Sequence, residues 1–320
     1  MQTLLAAALF LVGVVLIVKG GDAFVDAAGW MAEVSGIPPF LVGATIVSLA
    51  TTLPEMLVSV IAAKNGQVEM AAGNAIGSVT ANTGLILAVA VIALAGEASR
   101  RQYLAKSLLL VSGLGVLLVS ARGGCLPAAG SLLLGGVFLL FLAENIHSAR
   151  SAVAVAGAGQ AARPTVTPRI LAGRLILFCL GAAGIVAGAH LLVKSGSALA
   201  RLLGVPEGVI AVTIVAVGTS LPELVTTLTA IFKKQAGLSA GNILGANIID
   251  TALILPLCSL AAGRPLPISA QCLALDLPIC LAVTLLMLLP ALFCQRFSRW
   301  QGWAGLGVYA AYLFVTVRGC

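Results

Sequence analysis

Residues 50–56 read ATTLPEM, and residues 218–224, which lie 168 positions later, read GTSLPEL. In both segments a proline and a glutamate stand side by side within a long apolar run. Proline removes a backbone donor from a helix and clashes with the carbonyl group four residues earlier. A carboxylate is costly to bury in apolar surroundings. The occurrence of both residues at two related positions predicts that these segments do more than fill a core.

The composition around these segments is that of a membrane protein. The chain has 320 residues, of which 60% are hydrophobic and 9% charged, whereas soluble domains carry roughly 25% charged residues. This excludes a soluble enzyme. Apolar runs of roughly 17–25 residues are long enough to cross a bilayer. The sequence predicts ten such spans, at residues 3–19, 38–63, 68–93, 104–120, 127–147, 170–188, 206–231, 238–260, 270–290 and 301–317.

The basic residues predict how the chain is oriented. The loops that follow odd-numbered spans hold twelve lysines and arginines, and the remaining loops and termini hold six. Cytoplasmic loops carry an excess of these residues. We therefore expect a multi-pass protein of the cell (inner) membrane with both termini outside and the 148–169 linker in the cytoplasm.

The chain also contains an internal sequence repeat. With a shift of 168, TIV at 45–47 overlays TIV at 213–215, and GNAIGSVTANT at 73–83 overlays GNILGANIIDT at 241–251. Each half holds five spans, so the second copy enters the membrane from the other face. The predicted fold is an all-α polytopic membrane protein with ten transmembrane helices in two inverted-topology repeats, at 1–147 and 170–320, joined by the 148–169 linker. Such repeats are typical of secondary transporters.

Three acidic residues, Glu55, Glu223 and Asp250, lie deep in predicted spans. Carboxylates at this depth are rare and indicate function. No lysine or arginine is predicted at the same depth in spans 2, 3, 7 or 8, so the expected partner is a mobile cation. Ser78 and Asn82 share one helix face near Glu55. Hydroxyl, amide and freed carbonyl oxygens suit Na⁺ or Ca²⁺, and Glu55, Glu223, Asn82 and Asp250 are predicted to form a four-cornered site.

Other polar residues allow more than one interpretation. Hydroxyls in membrane helices often bond back to their own helix, and the sequence does not decide between that and a ligand role for Ser48, Thr45 and Thr213. Two asparagines, Asn74 and Asn242, are interpreted as structural. Both histidines, His147 and His190, are placed near span ends, at the interface. Three further aspartates are expected to lie on solvated surfaces, namely Asp22, Asp26 and Asp276. The seven cysteines lack metal-binding spacing and are interpreted as packing residues.

GTSLPEL and GNILGANIIDTALIL, each with its counterpart in the first half, resemble the calcium/cation antiporter superfamily and, within it, compact prokaryotic sodium/calcium exchangers. The resemblance covers nearly the whole chain. It implies a monomeric antiporter that exchanges Na⁺ for Ca²⁺ by alternating access, with spans 1 and 6 moving against the others. A Ca²⁺/cation antiporter coupled to H⁺ or K⁺ is the alternative. Neither a cofactor nor a nucleic-acid partner is expected; the partners are the transported ions and the lipid bilayer.

The resemblance also implies a set of ion ligands. Glu55 and Glu223 would be central, and Asn82 and Asp250 would flank the middle site. Hydroxyl and carbonyl oxygens would come from Thr51, Thr219, Thr52, Ser220 and Ser78, and backbone carbonyls from Ser48 and Ala216. The chain departs from the family at two positions: Ala246 replaces the usual serine, so the site on that side lacks a hydroxyl, and Val79 replaces an amide.

Overall fold

The computed structural model describes residues 2–94, 100–158, 167–202, 218 and 220–319, and almost all of them are helical. The helices, in chain order, are α1 (Gln2–Ser35), α2 (Pro39–Lys64), α3 (Val68–Ala93), α4 (Arg100–Ser120), α5 (Ala128–Ala158), α6 (Pro168–Leu202), α7 (Leu221–Phe232), α8 (Ala236–Ala262), α9 (Cys272–Cys294) and α10 (Arg299–Gly319). Two short strands, β1 (Cys125–Leu126) and β2 (Leu266–Pro267), pair antiparallel.

Eight helices in the described ranges are long and apolar enough to cross a membrane, namely α1 to α6, α8 and α9. The predicted class, an all-α polytopic membrane protein, is thereby confirmed. Helix α7 is described only from Leu221, and α10 has 21 residues but is not among the eight. The count of ten spans stays a prediction.

Several helices extend past the predicted spans. The first span was expected to end at residue 19, but α1 continues to Ser35; the sixth was expected to end at 188, but α6 continues to Leu202. The first part of the predicted linker is also helical, because α5 runs to Ala158. Apolar runs mark only the part of a helix that suits hydrocarbon, whereas the backbone hydrogen bonds continue beyond it.

Helices α1 and α6 pack antiparallel. Trp30, near the end of α1, stacks on Arg174, near the start of α6, with 5.5 Å between the ring centroid and the guanidinium carbon. The end of α1 therefore lies at the same face of the molecule as the end of α5 and the start of α6. We call this the linker face. The face at which β1 and β2 pair is called the opposite face.

Glycines bring α1 and α6 into backbone contact. A Cβ atom at Gly181 would lie 2.6 Å from the amide nitrogen of Phe24, and one at Gly188 would lie 2.8 Å from the carbonyl oxygen of Gly13. Small residues permit such close approach between membrane helices. Phe24 and Phe178 stack beside it with ring centroids 4.5 Å apart.

The apolar core is divided into two clusters. The larger one joins α2, α3, α4, α5, α8 and α9. The smaller one centres on α1 and α6, with side chains from α2, α7 and α8 packed against it. At the linker-face end of the larger cluster, the buried Lys106 of α4 forms an ion pair with Glu144 of α5. The smaller cluster therefore packs around the two long helices α1 and α6, apart from the larger one.

The two motif prolines have different local structures. Helix α2 continues through Pro54, and Pro54 offers no N–H to the carbonyl of Ala50. Pro222 lies in the first turn of α7, where proline is tolerated. Ser220 before it has φ −90° and ψ 9° and is not helical. Helical continuity therefore differs between two segments of nearly identical sequence.

Candidate cation-binding site

Helices α3 and α8 each contain a π-helical segment at the centre of the molecule. One begins at Asn82 (Asn82–Leu87) and the other at Asp250 (Asp250–Ile254). Such segments are rare, and they occur frequently at functional sites. No sequence signal predicts them. Both predicted flanking residues of the middle site therefore stand at the first position of a widened helical turn.

The three deep carboxyl groups lie together inside the protein. Glu55 of α2, Glu223 of α7 and Asp250 of α8 are 2%, 1% and 1% exposed. Glu55, Glu223 and Asp250 are close enough to interact electrostatically with one another. The carboxyl groups thus point toward one another and away from lipid.

Threonines of α2 reach across to the other half of the chain. Thr52 Oγ1 donates to Glu223 Oε1 at 3.3 Å. Thr51 Oγ1 lies 3.2 Å from Asn242 Oδ1 and 3.3 Å from the carbonyl oxygen of Ser48, and it can donate to either. Asn242, interpreted from sequence as structural, is therefore a direct neighbour of a predicted ligand.

The hydroxyls of Thr45 and Ser48 bond back to their own helix, as one of the two sequence interpretations expected. Thr45 Oγ1 donates to the carbonyl of Leu41 at 2.7 Å, and Ser48 Oγ donates to the carbonyl of Thr45 at 3.1 Å. The hydroxyl of Ser48 uses its proton in this bond, and its backbone carbonyl is the ligand that the resemblance implies. Thr213 lies outside the described residues, as do the predicted ligands Thr219 and Ala216.

Six buried oxygens of the predicted ligands have no hydrogen-bond partner in the described part of the chain. They are Glu55 Oε2, Glu223 Oε2, Asp250 Oδ1, Asn82 Oδ1, Ser78 Oγ and Ser220 Oγ. Buried polar atoms rarely lack a partner, and each exception requires an explanation. Carboxylate, amide and hydroxyl oxygens are ligands for hard cations. Among the described residues no group of three or more His, Cys, Asp or Glu is arranged to hold a metal, so neutral oxygens would have to share the coordination.

The α8 side of the site lacks a hydroxyl that the α3 side has. Ala246 is fully buried on α8 at the position that corresponds to Ser78 on α3. The next residue, Asn247, donates through Nδ2 to Thr83 Oγ1 at 2.8 Å and ties the two helices together. Sequence reasoning missed this contact, because Val79 stands at the position of Asn247 in the other half, although Thr83 recurs as Thr251.

A cavity of about 190 Å³ reaches the site between α2 and α6. Its lining includes Pro54, Glu55, Val58, His190 and Val193. Both helices run from the linker face toward the opposite face, so the cavity lies on the half of the molecule nearest the opposite face. Helix α6 continues past His190, and His190 lines the approach to Glu55.

Known proteins match this chain over nearly its whole length. The family model described as "Sodium/calcium exchanger protein" matches residues 5–146 and 174–318. The chain belongs to the sodium/calcium exchanger family. Members of this family are ion transporters rather than enzymes, and Ca²⁺ and Na⁺ are their substrates.

Two relatives and one solved structure show how similar this chain is to known proteins. It is 33% identical to the putative antiporter CaxA of Alkalimonas amylolytica over 98% of both chains. It is 29% identical to the sodium/calcium exchanger MaX1 of Methanosarcina acetivorans, over 96% of this chain and 97% of that one. A structure of the sodium-calcium exchanger NCX_Mj superposes with a TM-score of 0.81 at 27% identity, covering 97% of this chain and 98% of the other.

Proposed function

We propose that this protein is a secondary active antiporter that exchanges Na⁺ for Ca²⁺ across the membrane by alternating access. The observation that carries the proposal is the group of buried oxygens around Glu55, Glu223 and Asp250 that have no partner among the described residues. Three carboxylates within one buried site require cations when they are ionised. Membership of the sodium/calcium exchanger family supports the choice of ions.

The proposed ligands are those expected from the sequence. Glu55 and Glu223 bind every ion, and Asn82 and Asp250 flank the middle site. Further oxygens come from Thr51, Thr52, Ser220, Ser78, Ser48, Thr219 and Ala216. Two sets of ions compete for the same carboxylates, and a site that holds either load but not both couples their movement in opposite directions.

We also propose the inverted-repeat architecture with ten spans. Three observations support it. The family model matches the chain in two segments. Two of the four π-helical segments in the described residues begin at Asn82 and Asp250, which are 168 positions apart. The contact of Gly13 with Gly188 becomes the contact of Gly181 with Gly20 when each residue is shifted by 168.

For alternating access, α1 and α6 would move as a pair against the other helices. Their separate packing cluster supports this division. The cavity beside His190 leads to Glu55 from the opposite face. With the 148–169 linker in the cytoplasm and both termini outside, as the basic residues predict, this conformation is open to the outside of the cell membrane.

The coupling ion can be tested with purified protein in liposomes. Vesicles loaded with Na⁺ are diluted into Na⁺-free buffer, and uptake of ⁴⁵Ca²⁺ is followed. We expect uptake that depends on the outward Na⁺ gradient and is lost when a sodium ionophore collapses it. Vesicles that carry Glu55→Gln provide the inactive control.

The same vesicles distinguish the alternative. Ala246 leaves the α8 side of the site without a hydroxyl. This missing ligand is the reason to test coupling ions other than Na⁺. Uptake driven by a pH gradient or a K⁺ gradient, and indifferent to Na⁺, would replace the proposal with an H⁺- or K⁺-coupled antiporter.

A further inference from the structure

The molecule contains two related helix interfaces that differ in how tightly they pack. A shift of 168 relates the interface of α1 with α7 to that of α6 with α2. Between α6 and α2 lies the cavity of about 190 Å³. Between α1 and α7, a Cβ atom at Gly21 would lie 2.9 Å from Thr229 Oγ1 and 3.0 Å from Val225 Cγ1. One interface is therefore open toward the opposite face, and its counterpart is closed toward the linker face.

An ion cluster lies at the linker-face end of the closed interface. Lys233, directly after α7, places its Nζ 2.8 Å from Asp26 Oδ1 and 3.4 Å from Asp22 Oδ1. The two aspartates share one side of α1 because they are four residues apart. Both were expected to be merely solvated, and both are half-exposed. Lys233 therefore connects the end of α7 to two successive turns of α1.

The charges of this cluster act on the lysine. Partial burial alone would lower the pKa of Lys233, but the hydrogen bond to Asp26 and the negative charges of Asp26 and Asp22 outweigh it. The pKa of Lys233 consequently lies above its usual range. The ammonium group is a charged partner of both carboxylates throughout the neutral pH range.

The other half of the chain has no counterpart to this cluster. A shift of 168 relates Asp22 to His190, Asp26 to Lys194, and Lys233 to Asn65. Those residues cannot form a carboxylate–ammonium pair with one another. His190 lines the open cavity, so its counterpart Asp22 occupies the corresponding position on the closed passage.

We propose that Lys233 holds the linker-face passage closed by bridging Asp22 and Asp26, and that Asp22 lines this passage when it opens. The proposal rests on the alternating access proposed above. A cation that arrives from the linker face then meets two carboxylates, which raise its local concentration. It also competes with Lys233 for them, and that competition favours opening. A cation from the opposite face meets an imidazole instead.

The test is Lys233→Asn, which gives the end of α7 the residue of its counterpart Asn65. The matched control is Lys234→Asn, because it removes the same charge one residue away, outside the cluster. Lys234 has φ +58°, a conformation that asparagine tolerates. Each variant carries one reporter, either Val25→Cys, which is buried beside the closed passage, or Val193→Cys, which lines the open one. Maleimide labelling is measured by peptide mass spectrometry, so the native cysteines are distinguished.

With Lys233→Asn we expect labelling at Val25→Cys to rise about three- to tenfold, as for the loss of two exposed ion pairs, and labelling at Val193→Cys to fall. Lys234→Asn leaves both rates unchanged. Asp22→Asn combined with Asp26→Asn, examined in the same way, must reproduce the effect of Lys233→Asn. Equal labelling in Lys233→Asn and the unsubstituted protein, with correct folding shown by gel filtration, overturns the proposal.

Labelling needs no transport, so the two proposals fail separately. If labelling shifts but no Na⁺-driven Ca²⁺ uptake is seen, the proposed closure by Lys233 stands and the proposed exchange of Na⁺ for Ca²⁺ fails. If Na⁺ drives Ca²⁺ uptake but labelling does not shift, the proposed exchange stands and the proposed closure by Lys233 fails.

Discussion

The two carboxyl oxygens of Glu223 have different surroundings. Oε1 accepts a hydrogen bond from Thr52, whereas Oε2 has no partner in the described part of the protein. Glu55 likewise has an Oε2 without a partner. A buried carboxylate with a free oxygen is unfavourable unless a cation binds there. At the scale of single residues, this difference favours the proposed ligand role of the two glutamates over a purely structural one.

Neutralising either glutamate tests that distinction. Glu55→Gln and Glu223→Gln should each reduce Ca²⁺ uptake into liposomes to background, because an amide retains the shape and removes the charge. The exposed Glu69 of α3 provides a control, and Glu69→Gln should transport normally. If both site variants fold and still take up Ca²⁺, these glutamates are not the central ligands.

Ala246 stands at the position where the α3 half of the site has the hydroxyl of Ser78. Ala246→Ser should lower the Na⁺ concentration that half-saturates exchange by about three- to tenfold, since one added hydroxyl contact is worth roughly 1 kcal/mol. Ala240→Ser, at the linker-face end of α8, adds a hydroxyl outside the site and serves as the comparison. An unchanged Na⁺ dependence in Ala246→Ser would mean that this position does not face an ion.

At the scale of helices, glycines bring the backbones of α1 and α6 into direct contact. A Cβ atom at Gly181 would lie 2.8 Å from the carbonyl oxygen of Gly20, and the neighbouring atoms are backbone that cannot rotate away. This close contact fits the proposed movement of the two helices as a pair. The same feature makes the pair intolerant of added volume.

Gly181→Ala should therefore destabilise the protein, by about 1–3 kcal/mol as in other overpacked contacts, despite the better helix propensity of alanine. Gly173 lies on the same helix with open space around its Cβ position, so Gly173→Ala should leave the melting temperature unchanged or raise it. Thermal unfolding in detergent compares the two. Equal melting temperatures for both variants would contradict the close approach of α1 and α6.

At the scale of the whole molecule, one sequence pattern occurs twice but the two copies do not have the same conformation. The interface of α2 with α6 is open, and that of α1 with α7 is closed and carries the Lys233 cluster. A transporter with two equal halves would have no preference between its two openings. The cluster is a charge difference that favours one of them.

The charge of Lys233 also determines how this closure responds to pH. A base whose pKa is raised in the folded state contributes stability fully below its unfolded value of about 10.4, and the contribution is lost as the pH rises through the folded pKa. We expect the Cε resonance of isotopically labelled Lys233 to titrate at lower pH in Asp22→Asn/Asp26→Asn than in the unsubstituted protein. A midpoint that does not move would show that the aspartates do not stabilise the ammonium group.

The sequence predicted the membrane class and the acids of the candidate site, but it did not predict which helices meet. It placed Asp22 and Asp26 on solvated surfaces, where both are half-exposed, but gave no sign that Lys233 is their partner, because hydropathy measures which residues suit lipid. It also gave no sign that His190 lines the cavity beside Glu55. The π-helical turns at Asn82 and Asp250 depend on how neighbouring helices pack, so no local sequence pattern predicted them.

By itself the sequence determined the helical membrane class and the depth of Glu55, Glu223 and Asp250, because the cost of placing polar groups in hydrocarbon acts residue by residue. It also determined the 168-residue correspondence between the two halves. Only the tertiary structure decided which oxygens remain without partners, which lysine meets Asp22 and Asp26, and which of two equivalent passages is open. Those outcomes depend on packing between distant segments, whose free energies differ too little to be read from either segment alone.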